Sequence, residues 1–455
     1  MSTTSVHGWL VRRLTYPLWQ RHRRGTVLST LAQLERSQWL PASAMEALQL
    51  SRLQSLVAHA STRSPFYRES FARAGLTPQS LRSLADLRRF PVVEKADLRD
   101  RGAELLNGAD ARRLTKRQTS GSTGIPVVVW VEPEAEDAWT AAMFRNMQWW
   151  KVGVGDRRLT LISRHDLTQG RWLKQYCIAN VVEYSAMDLT EASLARVYRW
   201  LARGGVRVLT GYPSSLTYLA QYAMAQVGRG PFALETIVTT GEVLHDDQRA
   251  LLGQAFDCPV VNEYGSSETG PIAAECPDGR MHIAAENVIV ESEDSAAAGL
   301  GDLLLTDLTN YAMPLIRYRI GDLGAFGPPC SCGRGLPVLR LLAGRTADLV
   351  ILPGGRRADF GILSGVFDEL REQGIPLRQY RVVQHAVDHF EVLLAGSNQL
   401  GAAEDLVRRR IVAALQAPVN VAVRTVGDIP PDATGKRRRL ISHVAGARAP
   451  FQKRV

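Results

Sequence analysis

Strand and helix patterns alternate along most of this chain and predict an α/β protein. The expected form is a large N-terminal domain of helix-covered sheets with an antiparallel portion, followed by a small α+β C-terminal domain. Three observations carry that reading. Short apolar runs recur between stretches whose apolar residues fall at helical spacing, the pattern of parallel strands covered by helices. The later apolar runs are closely spaced, which implies an antiparallel portion. Past Asp348 the elements shorten, on the scale of an independent unit of about a hundred residues.

The first hundred residues read as helical. Ser43-Ala44-Met45-Glu46 has the spacing of a capping box, and Met45, Leu48, Leu53, Leu56 and Val57 follow at helical spacing. Pro65 ends that segment, and Pro91–Asp97 is a connector. The apolar run Ile125–Val131 then reads as a buried strand. Further strands are expected at Arg158–Ser163, Val206–Leu209, Ile237–Thr240, Pro259–Tyr264, Val288–Glu291, Asp302–Thr306 and Leu315–Arg319. Leu194, Val197 and Leu201 line a helix that stops at Gly204-Gly205. The serines of Gly211-Tyr212-Pro213-Ser214-Ser215 are placed to cap a helix from Leu216 to Val227. In the last part, Leu349–Leu352 and the Gly354-Gly355 turn suggest a hairpin. Helices near Leu363–Glu372 and Glu404–Leu415 alternate with strands Tyr380–Gln384, Phe390–Leu394 and Val419–Val426.

With 455 residues and 45% hydrophobic content the chain has ample material for a large core. Its apolar stretches are too short to span a bilayer, and Arg12 and Arg13 interrupt Gly8–Gln20, unlike a signal peptide. Five cysteines without an even framework suit a reducing compartment, so a cytoplasmic protein is expected. The net charge of +10 is scattered, with local clusters at Arg21–Arg24, Arg408–Arg410 and Lys436–Arg439. No aromatic-interleaved basic stripe accompanies it, which argues against nucleic acid as a partner and for small anionic ligands. Val11–Arg24, with Trp9, Tyr16, Leu18 and Trp19 among arginines, also suits peripheral contact with an anionic membrane surface.

Several stretches carry chemistry. Thr119, Ser120, Gly121, Ser122, Thr123 and Gly124 combine hydroxyls with glycines, a loop whose amides can approach a polyphosphate. It is not a Walker loop, because no Gly-Lys-Ser/Thr follows at the required spacing. Thr240-Gly241-Glu242 and Asn262-Glu263-Tyr264-Gly265-Ser266-Ser267-Glu268 follow or end strands, where open α/β sheets bind ligands. Tyr318-Arg319-Ile320-Gly321-Asp322 ends another strand with an acid suited to ribose hydroxyls. Gly344-Arg345 lies at the transition to the small domain, and Pro431–Lys436 puts a lysine on a glycine-containing turn. Cys276, His282, Cys330 and Cys332 have the composition of a Cys₃His zinc site, with ordinary buried thiols as the alternative. Cys177 and Cys258 read as core residues.

In this order and at these separations, the stretches resemble the adenylate-forming superfamily of acyl-CoA synthetases, adenylation domains and luciferases. Pro65-Phe66-Tyr67, Gly211-Tyr212-Pro213-Ser214 and Cys330-Ser331-Cys332-Gly333-Arg334 make the chain look most like the phenylacetate–CoA ligase branch and its CapK-type members. The resemblance implies a helical portion over residues 1–105, an AMP-binding core over 106–343 and a mobile lid over 344–455. It also implies that ATP and a carboxylic acid form an acyl-adenylate and pyrophosphate, and that CoA then accepts the acyl group. A carrier-protein thiol or an amine is the alternative acceptor, and a non-catalytic nucleotide-binding relative acting in polysaccharide assembly is the other reading.

Residue roles come from the same resemblance. Thr119 to Gly124 would hold the β- and γ-phosphates, and Glu268 would ligate Mg²⁺. Tyr264 would stack on adenine in a pocket with Gly241 and Glu242, flanked by Glu263 and Gly265. Asp322 would accept the ribose hydroxyls, Arg345 would reinforce that grip, and Lys436 would bridge carboxylate and α-phosphate. The zinc site would be structural and tie two loops of the large domain. The acid itself would lie near Trp139, Phe144, Tyr184, Tyr212 and Gly241. Three departures from the family pattern stand out: Ala347 in place of an acid, Ile125 in place of a lysine, and an altered loop at Leu352–Arg357.

Overall fold

A serine and two prolines decide where the N-terminal helices break. The computed structural model describes residues 5–108, 111–118, 127–162, 169–187, 189–203, 205–227, 232–293, 301–345, 349–375, 377–396, 400, 403–432 and 435–444. Helix Ala42–Arg63 buries Met45, Leu53, Leu56 and Val57, as their spacing requires. The expected capping box at Ser43 does not form. Extended Pro41 is the N-cap instead, which puts Ser43 inside the first turn with no capping hydrogen bond. Ser64 then closes one helix and opens the next, its Oγ accepting from the Tyr67 N–H at 3.4 Å while Pro65 takes the first turn of Pro65–Arg73. The connector after Pro91 runs into another short helix, Lys95–Asp100.

The chain's first element, Val6–His22, is helical throughout, with a π-helical segment at Val11–Thr15. One face buries Val11, Tyr16 and Gln20. The other leaves Val6 78%, Trp9 52%, Leu14 46% and Leu18 62% exposed, beside exposed Arg13 and Arg21.

Strands β1 (Thr115–Gln118) and β2 (Val128–Val131) make a separate antiparallel pair, with Thr115 opposite Val131. The expected phosphate loop, Thr119 to Pro126 with Ile125, lies outside the described residues. The main sheet has eleven strands: β3 (Arg157–Ile162), β4 (Val181–Ser185), β5 (Val206–Gly211), β6 (Thr236–Thr240), β7 (Val260–Ser266), β8 (Gly270–Glu275), β9 (Met281–Ile283), β10 (Val288–Glu293), β11 (Gly301–Asp307), β12 (Tyr318–Phe326) and β13 (Val338–Arg345). Its order is β10-β11-β12-β13-β9-β8-β7-β6-β5-β3-β4. From β4 through β7 neighbouring strands are parallel, and helices Gln169–Ala179, Glu191–Ala202, Pro213–Val227 and Asp246–Phe256 make the crossovers. Leu159, Leu161, Leu209 and Ile237 are buried against Leu216, Leu219, Leu252 and Phe256 in one cluster. At β8 the direction reverses, and β7–β8, β8–β9 and β9–β13 are antiparallel.

The helix-covered sheet with its antiparallel portion therefore matches the expected class. One strand is displaced: Leu315–Arg319 was expected, but β12 starts at Tyr318. Arg317 is the reason, since its φ of 54° puts a left-handed residue where an extended one was required. Its guanidinium fixes that kink by donating to Glu291 and to the carbonyls of Arg88 and Phe90.

The chain divides into two compact units. The larger takes most residues through Arg340, and the smaller takes Leu341 onward together with Gly321–Gly324. In the smaller unit, β14 (Leu349–Ile351) and β15 (Arg357–Asp359) pair across Gly354 and Gly355, whose φ values are 78° and 77°. A four-stranded sheet of β16 (Leu377–Ala386), β17 (His389–Gly396), β18 (Asn420–Val426) and β19 (Leu440–Ser442) is ordered β18-β17-β16-β19. Helices Gly361–Glu372 and Glu404–Leu415 complete its core, where Phe367 stacks on Tyr380 at 3.7 Å between centroids. Among the described residues no helix is long and apolar enough to cross a membrane.

Candidate functional site

The carboxyl ends of β6 and β7 lie side by side in the larger unit, and Gly241, Glu242, Glu263, Tyr264, Gly265 and Glu268 lie at or just beyond them. Tyr264 and Gly265 sit where the β7–β8 register breaks. A Cβ at Gly265 would lie 2.9 Å from the Gly270 carbonyl oxygen, and one at Gly270 (φ +67°) would lie 2.4 Å from the Trp139 indole. Both positions therefore need glycine for the hairpin to close. The turn between the strands is held by Ser266, whose Oγ accepts from the N–H groups of Glu268 and Thr269, both at 3.1 Å. Glu268 is only 5% exposed, and fully buried Tyr318 donates its Oη to Glu268 Oε1 at 3.1 Å. A neutral phenol orients a carboxylate without cancelling its charge, which leaves a hard anionic oxygen of the type Mg²⁺ selects.

Gly241, with φ +77°, turns the chain just beyond β6. Glu242, expected to line the nucleotide pocket, accepts from Ser214 N–H and Ser214 Oγ, each at 3.0 Å. The helix after Gly211 begins at Pro213, not Leu216, so Ser214 lies in its first turn and Glu242 supplies the acceptor there. A carboxylate at a helix N-terminus also meets the positive end of the helix dipole. Half-buried Glu263, paired with Thr240 in β6 and Ala274 in β8, has its carboxyl pushed up to about 7 by desolvation.

The acid-pocket aromatics diverge. Trp139 donates Nε1–H to Thr309 Oγ1 at 3.0 Å, and Phe144 turns away to meet Tyr16 edge-on at 6.0 Å between centroids. Phe144 therefore faces the N-terminal helix and not the strand ends.

In the smaller unit, Lys436 lies on a self-bonded turn. Its N–H donates to Asp432 Oδ1 at 3.1 Å, and Asp432 N–H donates back to the Lys436 carbonyl at 2.8 Å. Gly435 supplies the required φ of +79°, and Arg438 pairs with Asp432 Oδ2 at 3.3 Å. Asp322, also counted in this unit, is 6% exposed in β12 just after Gly321, whose φ is +86°. Arg345 is the last residue of β13. Ala347 and Asp348 lie outside the described residues.

Cys276, His282, Cys330 and Cys332 do converge, with ligand atoms all within 4.8 Å of one another. Cys276 Sγ is 3.7 Å from Cys330 Sγ, and Cys332 Sγ is 3.2 Å from His282 Nε2. His282 Nδ1 lies 3.0 Å from the Leu336 carbonyl, so Nδ1 carries the proton and Nε2 is left as the ligand atom. The knuckle joins the β8–β9 turn to the β12–β13 connection, and Ser331 Oγ donates to Asp278 Oδ2 at 2.7 Å across it. Gly335 N–H bonds the Gln38 carbonyl at 2.9 Å, which fastens the same loop to the N-terminal helices.

No family profile matches the chain. Its fold superposes on 2-hydroxyisobutyryl-CoA ligase in the postadenylation state with a TM-score of 0.72 and 21% identity, over 90% of this chain and 91% of that one. The fold, together with the sequence relatives that follow, places the chain in the adenylate-forming superfamily. Within it the chain is 28% identical over 331 residues to the phenylacetate–coenzyme A ligase of Thermus thermophilus, covering 69% of this chain and 73% of that one. It is 25% identical over 284 residues to CapK of Staphylococcus aureus, covering 60% and 62% respectively.

Two contacts at the site had no sequence signal. Tyr318 and Glu268 are fifty positions apart, and Ser214 and Glu242 twenty-eight. Removing either partner of the first pair should reveal their coupling. In denaturant unfolding, a cycle of Tyr318→Phe and Glu268→Ala should show a coupling of about 1.5 kcal/mol, the scale of a hydrogen bond to a charged acceptor. Additive effects would mean that the phenol does not hold the carboxylate.

Proposed function

We propose that this protein is an ATP-dependent ligase that activates a carboxylic acid as its acyl-adenylate, releases pyrophosphate, and transfers the acyl group to the thiol of CoA. The observation that carries this reading is Glu268, buried yet oriented by Tyr318, in the turn that follows β7. Glu268 would hold Mg²⁺, which neutralises phosphate charge when bound. Tyr264 would cover the adenine, Asp322 would accept the ribose hydroxyls with Arg345 beside it, and Lys436 would stabilise charge between carboxylate and α-phosphate. No general base is required, because a carboxylate is already ionised at neutral pH. The phenylacetate–coenzyme A ligases among the relatives support the acid–thiol chemistry.

ATP–pyrophosphate exchange against a panel of aryl, aliphatic and sugar acids tests the first half-reaction, and thioester formation with CoA tests the second. Lys436→Ala should lower exchange by at least a hundredfold while ATP still binds. Exchange at the wild-type rate would remove the lysine from the chemistry, and no exchange with any acid in the wild type would overturn the reading.

We also infer that the Cys₃His cluster holds one structural zinc. Tetrahedral coordination at ordinary Zn–S and Zn–N lengths puts ligand atoms about 3.6–3.8 Å apart. The 3.7 and 3.2 Å separations are close to that, and the Leu336 carbonyl supplies the outer partner that ligating histidines usually have. Metal analysis should find one zinc per chain in the wild type and less in Cys332→Ser, with a lower melting temperature. A zinc-free wild type with an unchanged melting temperature after metal-replete expression would remove the site.

The outer face of Val6–His22 supports peripheral contact with an anionic bilayer, since exposed Trp9, Leu14 and Leu18 lie among exposed arginines. Co-sedimentation with phosphatidylserine vesicles, but not with phosphatidylcholine vesicles, should fall in Trp9→Ser/Leu18→Ser. Equal sedimentation of that variant would exclude this face.

A further inference from the structure

The inner face of the N-terminal helix covers a cavity of about 390 Å³ whose lining includes none of the strand-end residues. Tyr16 and Trp19 bound it on one side, Phe144 and Ile178 on another, with Arg158 inside and exposed Lys174 at its mouth. Its volume is in the range of small-molecule pockets, about 300–1,000 Å³.

Arg158 is the group in this cavity whose chemistry is incomplete. Its guanidinium lies 4.9 Å from the Phe144 ring centroid, and Nη1 is 3.6 Å from Met143 Sδ. Neither contact supplies a counter-charge, and among the described residues no carboxylate makes an ion pair with it. The two acidic groups whose ionised forms would act on it are Tyr16 and Glu183. Burial raises the Tyr16 phenol above its usual range, so it stays neutral. Glu183 lies on β4 opposite Thr160, two residues along β3 from Arg158. Arg158 is half-buried and has no bonded anion among the described residues, and exposed Lys174 adds a second positive charge at the entrance.

The cavity is also remote from the strand-end site. β5 and β6 separate β3 from β7, which at about 4.8 Å per strand spacing is roughly 14 Å across the sheet. Arg158 is the second residue of β3, whereas Glu268 follows the far end of β7 in the same parallel set.

We propose that this cavity is a second binding site for a small aryl or branched-chain carboxylate, whose anion pairs with Arg158 and whose apolar body packs among Tyr16, Trp19, Phe144 and Ile178. The aromatic walls suit a flat or branched body, and the guanidinium fork suits a two-oxygen anion. Ligand entry would give the guanidinium a directly bonded anion.

The probe pair is 4-bromophenylacetate and the neutral 4-bromophenylacetamide, titrated calorimetrically into the full chain, with bromine located by anomalous diffraction from soaked crystals. The acid should place bromine inside the cavity and bind at least tenfold more tightly than the amide. Arg158→Met should weaken acid binding there at least tenfold. Ala179→Phe, which fills the space and leaves the arginine in place, should do the same. Both variants should keep the wild-type melting temperature, and ATP–pyrophosphate exchange should be unchanged in Arg158→Met. Equal acid affinity in the wild type and both folded variants would overturn the proposal, as would bromine found only beside Gly241 and Tyr264. That second outcome leaves the ligase reading intact, whereas absent exchange with bromine in the cavity would remove the ligase reading and keep this site.

Discussion

A buried ion pair between Arg145 and Glu286 is the constraint on which the larger unit's architecture depends. The two side chains are 0% and 1% exposed, with Nη1 and Oε1 3.5 Å apart. Glu286 Oε1 also accepts from Ser37 Oγ at 2.6 Å, and the Glu286 carbonyl accepts from Arg52. Three parts of the chain therefore meet at one carboxylate: the N-terminal helices, helix Pro133–Gln148 and the connection into β10. Taking two charges out of water is expensive, and removing either partner of such a pair typically costs about 3–5 kcal/mol. The pair is better understood as fixing a unique arrangement than as adding net stability.

From that pair the order extends outward. The Arg145 guanidinium lies over the Trp149 ring at 4.9 Å, and Arg334 covers the same ring at 4.6 Å. Trp149 meets His282 edge-on and donates Nε1–H to Gln38 at 2.8 Å. A continuous chain of contacts thus runs from the ion pair to the Cys₃His knuckle. Helix Pro133–Gln148, held by Arg145 near its end, presents Trp139 to Gly270 and Phe144 to the N-terminal cavity. One rigid helix therefore sets a wall of each region.

How much of this was legible depended on what kind of interaction made each feature. Strands β5, β6, β7, β10 and β11 were readable because each contains two or more consecutive apolar residues that are buried. The strands β8, β9 and β13 were not, since Gly270-Pro271, Met281-His282 and the mixed Val338–Arg345 carry no period-two apolar pattern; pairing with neighbours makes them strands. Local signals misled where a stronger neighbour prevailed, as at Ser43 behind Pro41 and at Ser214 beneath Glu242. The acids near the strand ends stood out in the sequence by type and spacing. Their holders, Tyr318 for Glu268 and Ser214 for Glu242, were set by tertiary approach alone.

The pairing of β9 with β13 has a consequence for how the chain assembles. His282 sits opposite Val338, and Cys276 meets Cys330 across an excursion of 54 residues. Closing a flexible loop of that length carries an entropic penalty whose length-dependent part is about 3.5 kcal/mol. β10, β11 and β12 all lie within the excursion, so the closure is met only after they have found their own partners. The edge where β9 joins β13 is then expected to be a late event in folding, and a cross-link at the knuckle would act chiefly by shrinking the unfolded ensemble.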